Sequence, residues 1–315
     1  MNDMITAVNI IKPGFLTTIQ DIPGRRGLKR FGIPSSGTMD THSAELANWL
    51  VGNDLESPLF EITFGKCEFE FTERTVVGLS GGKAKVLVSD ESVQLNKTLI
   101  VGPGERLKVG RVSKGARIYL AIGGRWQIKQ SLGSFSTYAK AGLGGVDGRE
   151  LMSGDRIEVD SSQVQEPIKI VPKELVPHFS RQQNIRVIAG PEWDWLRTEQ
   201  KNALLKTRFG ISSTSNRMGI RLKQENNVEV PQRDFSSAPV VPGIIQLPSG
   251  GEPIILMNDA QSVGGYPRIL KVAEADLWRL GQMWQGNEIS FSLIERRDAL
   301  ELLDYYKNLR ESHLI

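Results

Sequence analysis

Between Gly14 and Gly65 the chain concentrates residue types that can bind and orient a small polar reactant. Thr17, Thr18, Gln20 and Asp21 come first, then Arg25 and Arg26, then Ser35, Ser36, Thr38 and Asp40, with glycines between them. Glycine permits tight turns and close backbone approach. Hydroxyl, amide, carboxylate and guanidinium groups supply donors and acceptors of fixed geometry. Three later clusters are of the same kind: the hydroxyl-rich Gly133–Tyr138, Ser215–Leu222 with Asn216 and Arg217, and Asp259–Pro267 with Gln261 and Tyr266. The expected chemistry is stabilisation of charge developing on a polar substrate. The catalytic candidates are Asp40, Arg217 and Tyr138; the substrate-binding candidates are Gln20, Asp21, Ser36, Asn216, Gln261 and Tyr266. Asp40 reads equally as a base and as a helix N-cap. Arg217 reads as a bidentate clamp on an anion or as a loop buttress paired with a carboxylate. Tyr138 and Tyr266 read as donors.

Short β-rich segments must position these groups. Residues 76–79, 85–88, 98–101 and 117–122 are separated by Gly, Pro, Asp or Ser and predict a mainly β fold of barrel or sandwich type. One helix interrupts them. Asp40 caps it, Ala44, Ala47 and Val51 recur at helical spacing, and Gly52 stops it. Residues 161–183 read as a connector in which only Ile168–Val171 looks strand-like. A second set follows: strands at 185–188, 220–222, 243–247, 253–257 and 288–291, a helix from Pro191 to about Leu205, a short helix near 273–283 and a final amphipathic helix around Ala299–Tyr306. The expected domains are residues 1–165, residues 184–295 and a terminal helix over 296–315.

Several familiar motifs fail. Gly78-Leu79-Ser80-Gly81-Gly82 fits the nucleophile-elbow pattern, yet a strand follows it where a helix is required, so a hairpin turn is expected. Gly142–Gly148 lacks the Lys-Ser/Thr ending of a phosphate loop and reads as a tight turn between strands. His42, His178 and His313 show no metal-ligand spacing, and no metal site is expected.

Composition narrows the class. The chain has 315 residues, 39% hydrophobic and 24% charged, with a net charge of +3. That charge is too small to argue for nucleic acid. Arg25, Arg26, Lys29 and Arg30 form a local basic run that reads either as an anion contact or as a solvated loop. The single cysteine, Cys67, falls on the apolar face of an alternating strand with Phe69 and Phe71, so a buried, structural thiol is expected. With no long apolar run and no leader-like start, a cytoplasmic protein without membrane contact is expected.

Taken together, Thr17–Asp21, Gly32–Asp40, Ala47–Asn53, Glu61–Gly65, Gly133–Gly145 with Gly148-Arg149 and Gly154-Asp155, Ser215–Leu222, Pro242–Pro248 and Pro253–Pro267 resemble the allophanate hydrolase subunit 2 family, also called KipA or biotin-dependent carboxyltransferase-like. The resemblance covers roughly residues 8–295. It implies two cyclophilin-like β-barrel domains. It further implies the role of the C subunit in an ATP-dependent 5-oxoprolinase, working with a KipI-like protein and a LamB/YcsF-like protein as the other two subunits. ATP is then expected in a site shared with the KipI-like partner, and no biotin on this chain, which has no Met-Lys-Met attachment sequence. Two other roles fit the same resemblance: the carboxyltransferase half of a urea carboxylase-like system, and a non-enzymatic antagonist of a KipI-type histidine kinase inhibitor. The chain departs from the family's usual pattern at Ser262-Val263, where two threonines are common, and at Arg125, where a small or aromatic residue is more usual.

Overall fold

The computed structural model describes residues 5–162, 164, 168–224, 228, 230, 233 and 235–314. The chain divides into two compact units, Met1–Arg26 with Ser36–Phe179, and Gly27–Ser35 with Ser180–Ile315.

The first unit is built from β1 (Ile5–Lys12), β2 (Leu16–Gln20), α1 (Thr41–Leu50), β3 (Leu59–Thr63), β4 (Gly65–Phe71), β5 (Thr75–Lys83), β6 (Val86–Val88), β7 (Glu91–Val93), β8 (Thr98–Val101), β9 (Arg106–Arg111), β10 (Lys114–Ile122), β11 (Arg125–Trp126) and β12 (Arg156–Asp160). They form a seven-stranded sheet in the order β11-β12-β1-β4-β9-β6-β7 and a five-stranded sheet in the order β2-β3-β10-β5-β8. Alternation explains the layering, since successive side chains of a strand point to opposite faces. Val8, Ile10, Phe69, Phe71, Leu107 and Val109 of one sheet share a core with Ile19, Phe60, Ile62, Leu79, Ile118 and Leu120 of the other. Cys67 lies in that core, as expected, and burial pushes its thiol pKa up to about 12.

The opposite face of the five-stranded sheet carries α1. Ala44, Ala47 and Val51 meet Leu59, Val76, Tyr119 and Ala121. This contact explains the glycine-rich run at residues 78–82. It is neither a nucleophile elbow nor the expected hairpin turn, because all of it lies inside β5. A Cβ on Gly78 would stand 2.6 Å from the Ala47 carbonyl oxygen and 2.8 Å from Leu50 Cβ, so the helix can seat only against a bare backbone. Gly78→Val is expected to cost about 3 kcal/mol or more, by overpacking against backbone that cannot yield. Urea unfolding checks it, and a loss below about 1 kcal/mol would refute this packing.

The second unit holds β13 (Gln182–Ala189), α2 (Thr198–Lys206), β14 (Phe209–Ile211), β15 (Gly219–Lys223), β16 (Ala238–Pro239), β17 (Ile244–Gln246), β18 (Ile254–Leu256), β19 (Val263–Gly264), β20 (Arg268–Val272), α3 (Leu277–Leu280), β21 (Glu288–Leu293) and α4 (Arg296–Leu314). Seven of its strands close into a barrel, β13-β20-β17-β18-β15-β14-β21, sealed by parallel pairing of β13 with β21. Ile185, Val187, Phe209, Leu270, Val272, Ile289 and Phe291 are buried. The mainly β expectation holds. The closed barrel belongs to the second unit, while the first divides its strands between two sheets.

The helix expected from Pro191 starts later. Trp193–Trp195 make one 3₁₀ turn, the backbone extends at Leu196 and Arg197, and α2 begins at Thr198. Trp193 and Leu196 are both buried, and the Gln200 side chain caps the new start by accepting from the Arg197 amide at 2.7 Å. In the expected connector, residues 168–171 run beside β8, with the Thr98 amide donating to the Lys169 carbonyl at 2.9 Å. Positions 163 and 165–167 of it lie outside the described residues.

Candidate functional site

In the first unit β2 delivers Gln20 and Asp21 to a buried polar layer. Asp21 is 7% exposed, and its carboxylate is fully engaged. Ser134 Oγ donates to one oxygen at 2.6 Å, Ser136 Oγ donates to the same oxygen, and the Phe135 amide donates to the other at 2.8 Å. The Asp21 amide in turn donates to Ser136 Oγ at 3.0 Å. Gln20 is fully buried; its Nε2 donates to Thr18 Oγ1 at 3.0 Å and to the Thr137 carbonyl at 3.2 Å, while its Oε1 has no partner among the described residues. Arg25, expected in a basic surface run, is 3% exposed and donates to the Ser136 carbonyl.

The four cations of that run are divided between the two units. Arg26 pairs with Glu56 at 2.8 Å, and Lys29 and Arg30 group with the second unit.

The Ser134–Thr137 segment is backed by the glycine loop at 142–148. A Cβ on Gly144 would meet the Ser136 carbonyl, and one on Gly145 would meet Thr137 Oγ1. Those glycines admit the chain's own atoms at close range. Tyr138, half-buried, closes the same loop through paired backbone bonds with Leu143.

The Ser36–Asp40 segment leads into α1. Ser36 is 1% exposed, has φ +55° and carries an Oγ without a partner among the described residues. Asp40 is the N-cap: Oδ1 accepts from the Ser43 amide at 2.9 Å and Oδ2 from Ser43 Oγ at 2.6 Å. These are the bonds of the capping reading. Two residues absent from the candidate set hold this segment in place. Glu61 Oε2 accepts from the Met39 amide and from Tyr119 Oη, each at 2.8 Å, and Tyr119 Oη accepts from the Asp40 amide at 2.8 Å. Arg117 Nε lies 3.4 Å from Glu61 Oε1. Burial, together with the charges of Glu61 and Asp40, raises the Tyr119 pKa well above its ordinary value, so the phenol stays protonated and donates. Their signal was in the pattern: Glu61 and Tyr119 are direct cross-strand partners on the helix-facing side of otherwise apolar strands.

Beside the Asp21 layer opens a cavity of about 970 Å³, lined among others by Pro23, Arg26, Asn53, Arg125, Trp126 and Phe135. That is the size of a small-molecule site.

The remaining candidates belong to the second unit. Arg217 Nε and Nη2 donate to Asp259 at 2.8 and 3.2 Å, and the Asp259 amide donates to the Arg217 carbonyl at 2.9 Å. This is the buttress geometry, and its partner Asp259 was missed although its cluster was visible. Asn216 Oδ1 accepts from the Met218 amide at 2.8 Å within the turn that ends at Gly219. Gln261 and Tyr266 are exposed. The structure thus brings Gln20, Asp21, Ser36, Asp40 and Tyr138 into one unit and Asn216, Arg217, Gln261 and Tyr266 into the other. Among the described residues no helix is long and apolar enough to cross a membrane, and no group of three or more His, Cys, Asp or Glu is arranged to hold a metal.

A sequence profile described as the carboxyltransferase domain, subdomain A and B, matches residues 31–293. The chain is 36% identical over 294 residues to the 5-oxoprolinase C subunit of Escherichia coli (strain K12), covering 93% of each. It is 33% identical over 303 residues to the urea amidolyase of Saccharomyces cerevisiae, covering 91% of this chain and 16% of that one. The crystal structure of the K. lactis urea amidolyase superposes with a TM-score of 0.91 at 31% identity, over 98% of this chain and 20% of that one. The chain therefore spans nearly all of the 5-oxoprolinase relative and only a small part of the urea amidolyases.

Proposed function

We propose that this chain, which belongs to the family of the carboxyltransferase domain, subdomain A and B, is the C subunit of an ATP-dependent 5-oxoprolinase that acts only as a complex. The observation that carries this reading is the likeness to the 5-oxoprolinase C subunit over 93% of both chains. Its partners in the proposal are a KipI-like subunit and a LamB/YcsF-like subunit, and its substrate is 5-oxo-L-proline.

The proposed net reaction consumes 5-oxoproline, ATP and two waters and yields glutamate, ADP and phosphate. A lactam carbonyl is a weak electrophile with a poor leaving group, so activation at its oxygen precedes attack by water. Charge then collects on oxygen, and fixed N–H and O–H donors are what a site must offer. Gly142–Gly148, the loop whose composition comes nearest to a phosphate loop, is filled by the chain's own Ser136 and Thr137. In the proposal ATP binds in a site shared with the KipI-like partner.

A urea carboxylase-like carboxyltransferase is the second reading, favoured by the TM-score of 0.91 to urea amidolyase. Co-expression of the three proteins decides between them. Glutamate and phosphate released in equal amounts from 5-oxoproline and ATP, and lost when any one protein is omitted, is the expected result. An intact complex that leaves 5-oxoproline untouched overturns the proposal. Urea-dependent ATP hydrolysis with a biotinylated carrier would establish the second reading. Relief of histidine kinase inhibition without turnover would point to a KipA-like regulator.

A further inference from the structure

We propose that the cavity of the first unit is the binding site for the substrate's carboxylate, with Arg125 as its anchor, so that Arg125 selects an anionic lactam over a neutral amide. The inference rests on the 5-oxoproline reading and adds to it the site and the residue that sets charge preference.

Several charged and amide groups of the lining are bonded within the protein, whereas the Ser57 and Gln130 side chains carry no hydrogen bond among the described residues. Arg26 is paired with Glu56 at 2.8 Å. Asn53 has both ends of its amide engaged, donating to the Ile122 carbonyl at 2.9 Å and accepting from the Gly124 amide at 3.0 Å. Asp21 is saturated by Ser134, Ser136 and the Phe135 amide. Asp54 accepts from the Glu56 amide at 3.1 Å.

Arg125 stands apart. It lines the cavity, is exposed, and makes no ion pair within 4.0 Å among the described residues. Its ladder partner Asp160 is itself bonded to the Ser162 amide at 3.0 Å and feels Arg125 only as a weak attraction. Next to it on the strand, Trp126 is 5% exposed and packs in the core against Phe60, with ring centroids 4.8 Å apart. The Arg125 guanidinium is a donor only.

The open capacity of the lining thus includes the Arg125 guanidinium fork, the Ser57 hydroxyl and the Gln130 amide, beside apolar walls from Pro23, Leu132 and Phe135. A guanidinium matches a carboxylate bidentately. The Ser57 hydroxyl and the Gln130 amide of the same lining suit a neutral carbonyl, and the apolar walls suit a saturated ring. A small cyclic amide bearing a carboxylate presents those groups together. Urea has no charge for Arg125 to meet. The lactam occupies only part of about 970 Å³, which leaves space for a second reactant or for a segment of a partner protein.

The test uses the assembled three-protein complex. Arg125→Gln should raise the KM for 5-oxoproline by about tenfold or more, the loss expected of one hydrogen-bonded charge pair. Its kcat should stay within about twofold, since the anchor acts on substrate and transition state alike. Arg125→Lys should recover part of the lost affinity. Inhibition by 2-pyrrolidinone, the same lactam without its carboxylate, should be equal in wild type and Arg125→Gln. An unchanged KM in an active complex overturns the inference and leaves the proposed function standing. Equal weakening of 5-oxoproline and 2-pyrrolidinone also overturns it, because that marks a structural role. A wild-type complex that never turns over 5-oxoproline brings down the functional reading first, and the inference with it.

Discussion

Asp276→Ala should destabilise the second unit by about 3–5 kcal/mol, the effect of removing one partner from a buried ionic cluster. The carboxylate of Asp276 is 0% exposed. It accepts from the Arg186 amide at 2.9 Å, from Arg186 Nε at 2.9 Å, from Arg186 Nη2 at 2.5 Å and from Arg279 Nη1 at 3.2 Å. Through these bonds the residues just before α3 are pinned to β13, and alanine would leave two guanidinium groups facing each other without a counter-charge. Burial by itself would raise the Asp276 pKa, but the hydrogen bonds from Arg186 and the charges of Arg279 and Arg186 outweigh it, and the pKa is lowered. The folded carboxylate thus titrates below its unfolded value of about 3.9. Its stabilisation is present in full above that value and is lost as pH falls through the folded pKa. Denaturant melts at neutral pH and at about pH 3.5 should therefore show the variant's deficit shrinking in acid. A deficit below about 1 kcal/mol at pH 7 would refute this bonding.

Asp21→Ala should cost about 2–4 kcal/mol in the first unit, because three buried donors lose a charged acceptor together. Ser134 Oγ, Ser136 Oγ and the Phe135 amide all converge on that carboxylate. The Ser134–Thr137 segment should then detach from the end of β2 and, with Phe135, deform the wall of the cavity. Hydrogen exchange reads the effect directly. The Phe135 and Thr137 amides should lose protection well before the core strands do. In the assembled complex, turnover should fall at least tenfold, since a site held loosely by about an ångström loses that much or more. Asp21→Asn should rescue only part, because an amide has one acceptor oxygen where the carboxylate has two and would present a donor to one of the existing donors. Unchanged protection at Phe135 would remove Asp21 from its structural place.

Strand positions and α1 were legible from alternation and capping, because those signals are local. Asp40, Ala44, Ala47 and Val51 announce the helix within one short window, and it is found over Thr41–Leu50. The run at residues 78–82 misled for the complementary reason. Glycines in sequence usually mark a turn, whereas here they make room for a helix that arrives from residues 44–51. The break before α2 was likewise invisible locally, since it follows from Trp193 and Leu196 being drawn into the core.

The chemistry followed the same division. Residue types alone marked Gln20–Asp21, Ser36–Asp40, Gly133–Tyr138, Asn216–Arg217 and Asp259–Tyr266 as polar and dense in hydrogen-bonding groups, and short β-rich runs between turn residues were enough to make the chain mainly β. Which carboxylate each donor meets depends on approach through space. Asp21 finds serines more than a hundred residues away, and Glu61 finds Tyr119 across a strand pair. Such pairings decide whether a charged group is already satisfied or still open to a ligand. A one-dimensional pattern gives Arg25, Arg26 and Arg125 the same charge. Folding buries the first against a carbonyl, pairs the second with Glu56, and leaves the third facing a cavity, because only three-dimensional packing determines which counter-groups come within hydrogen-bonding range.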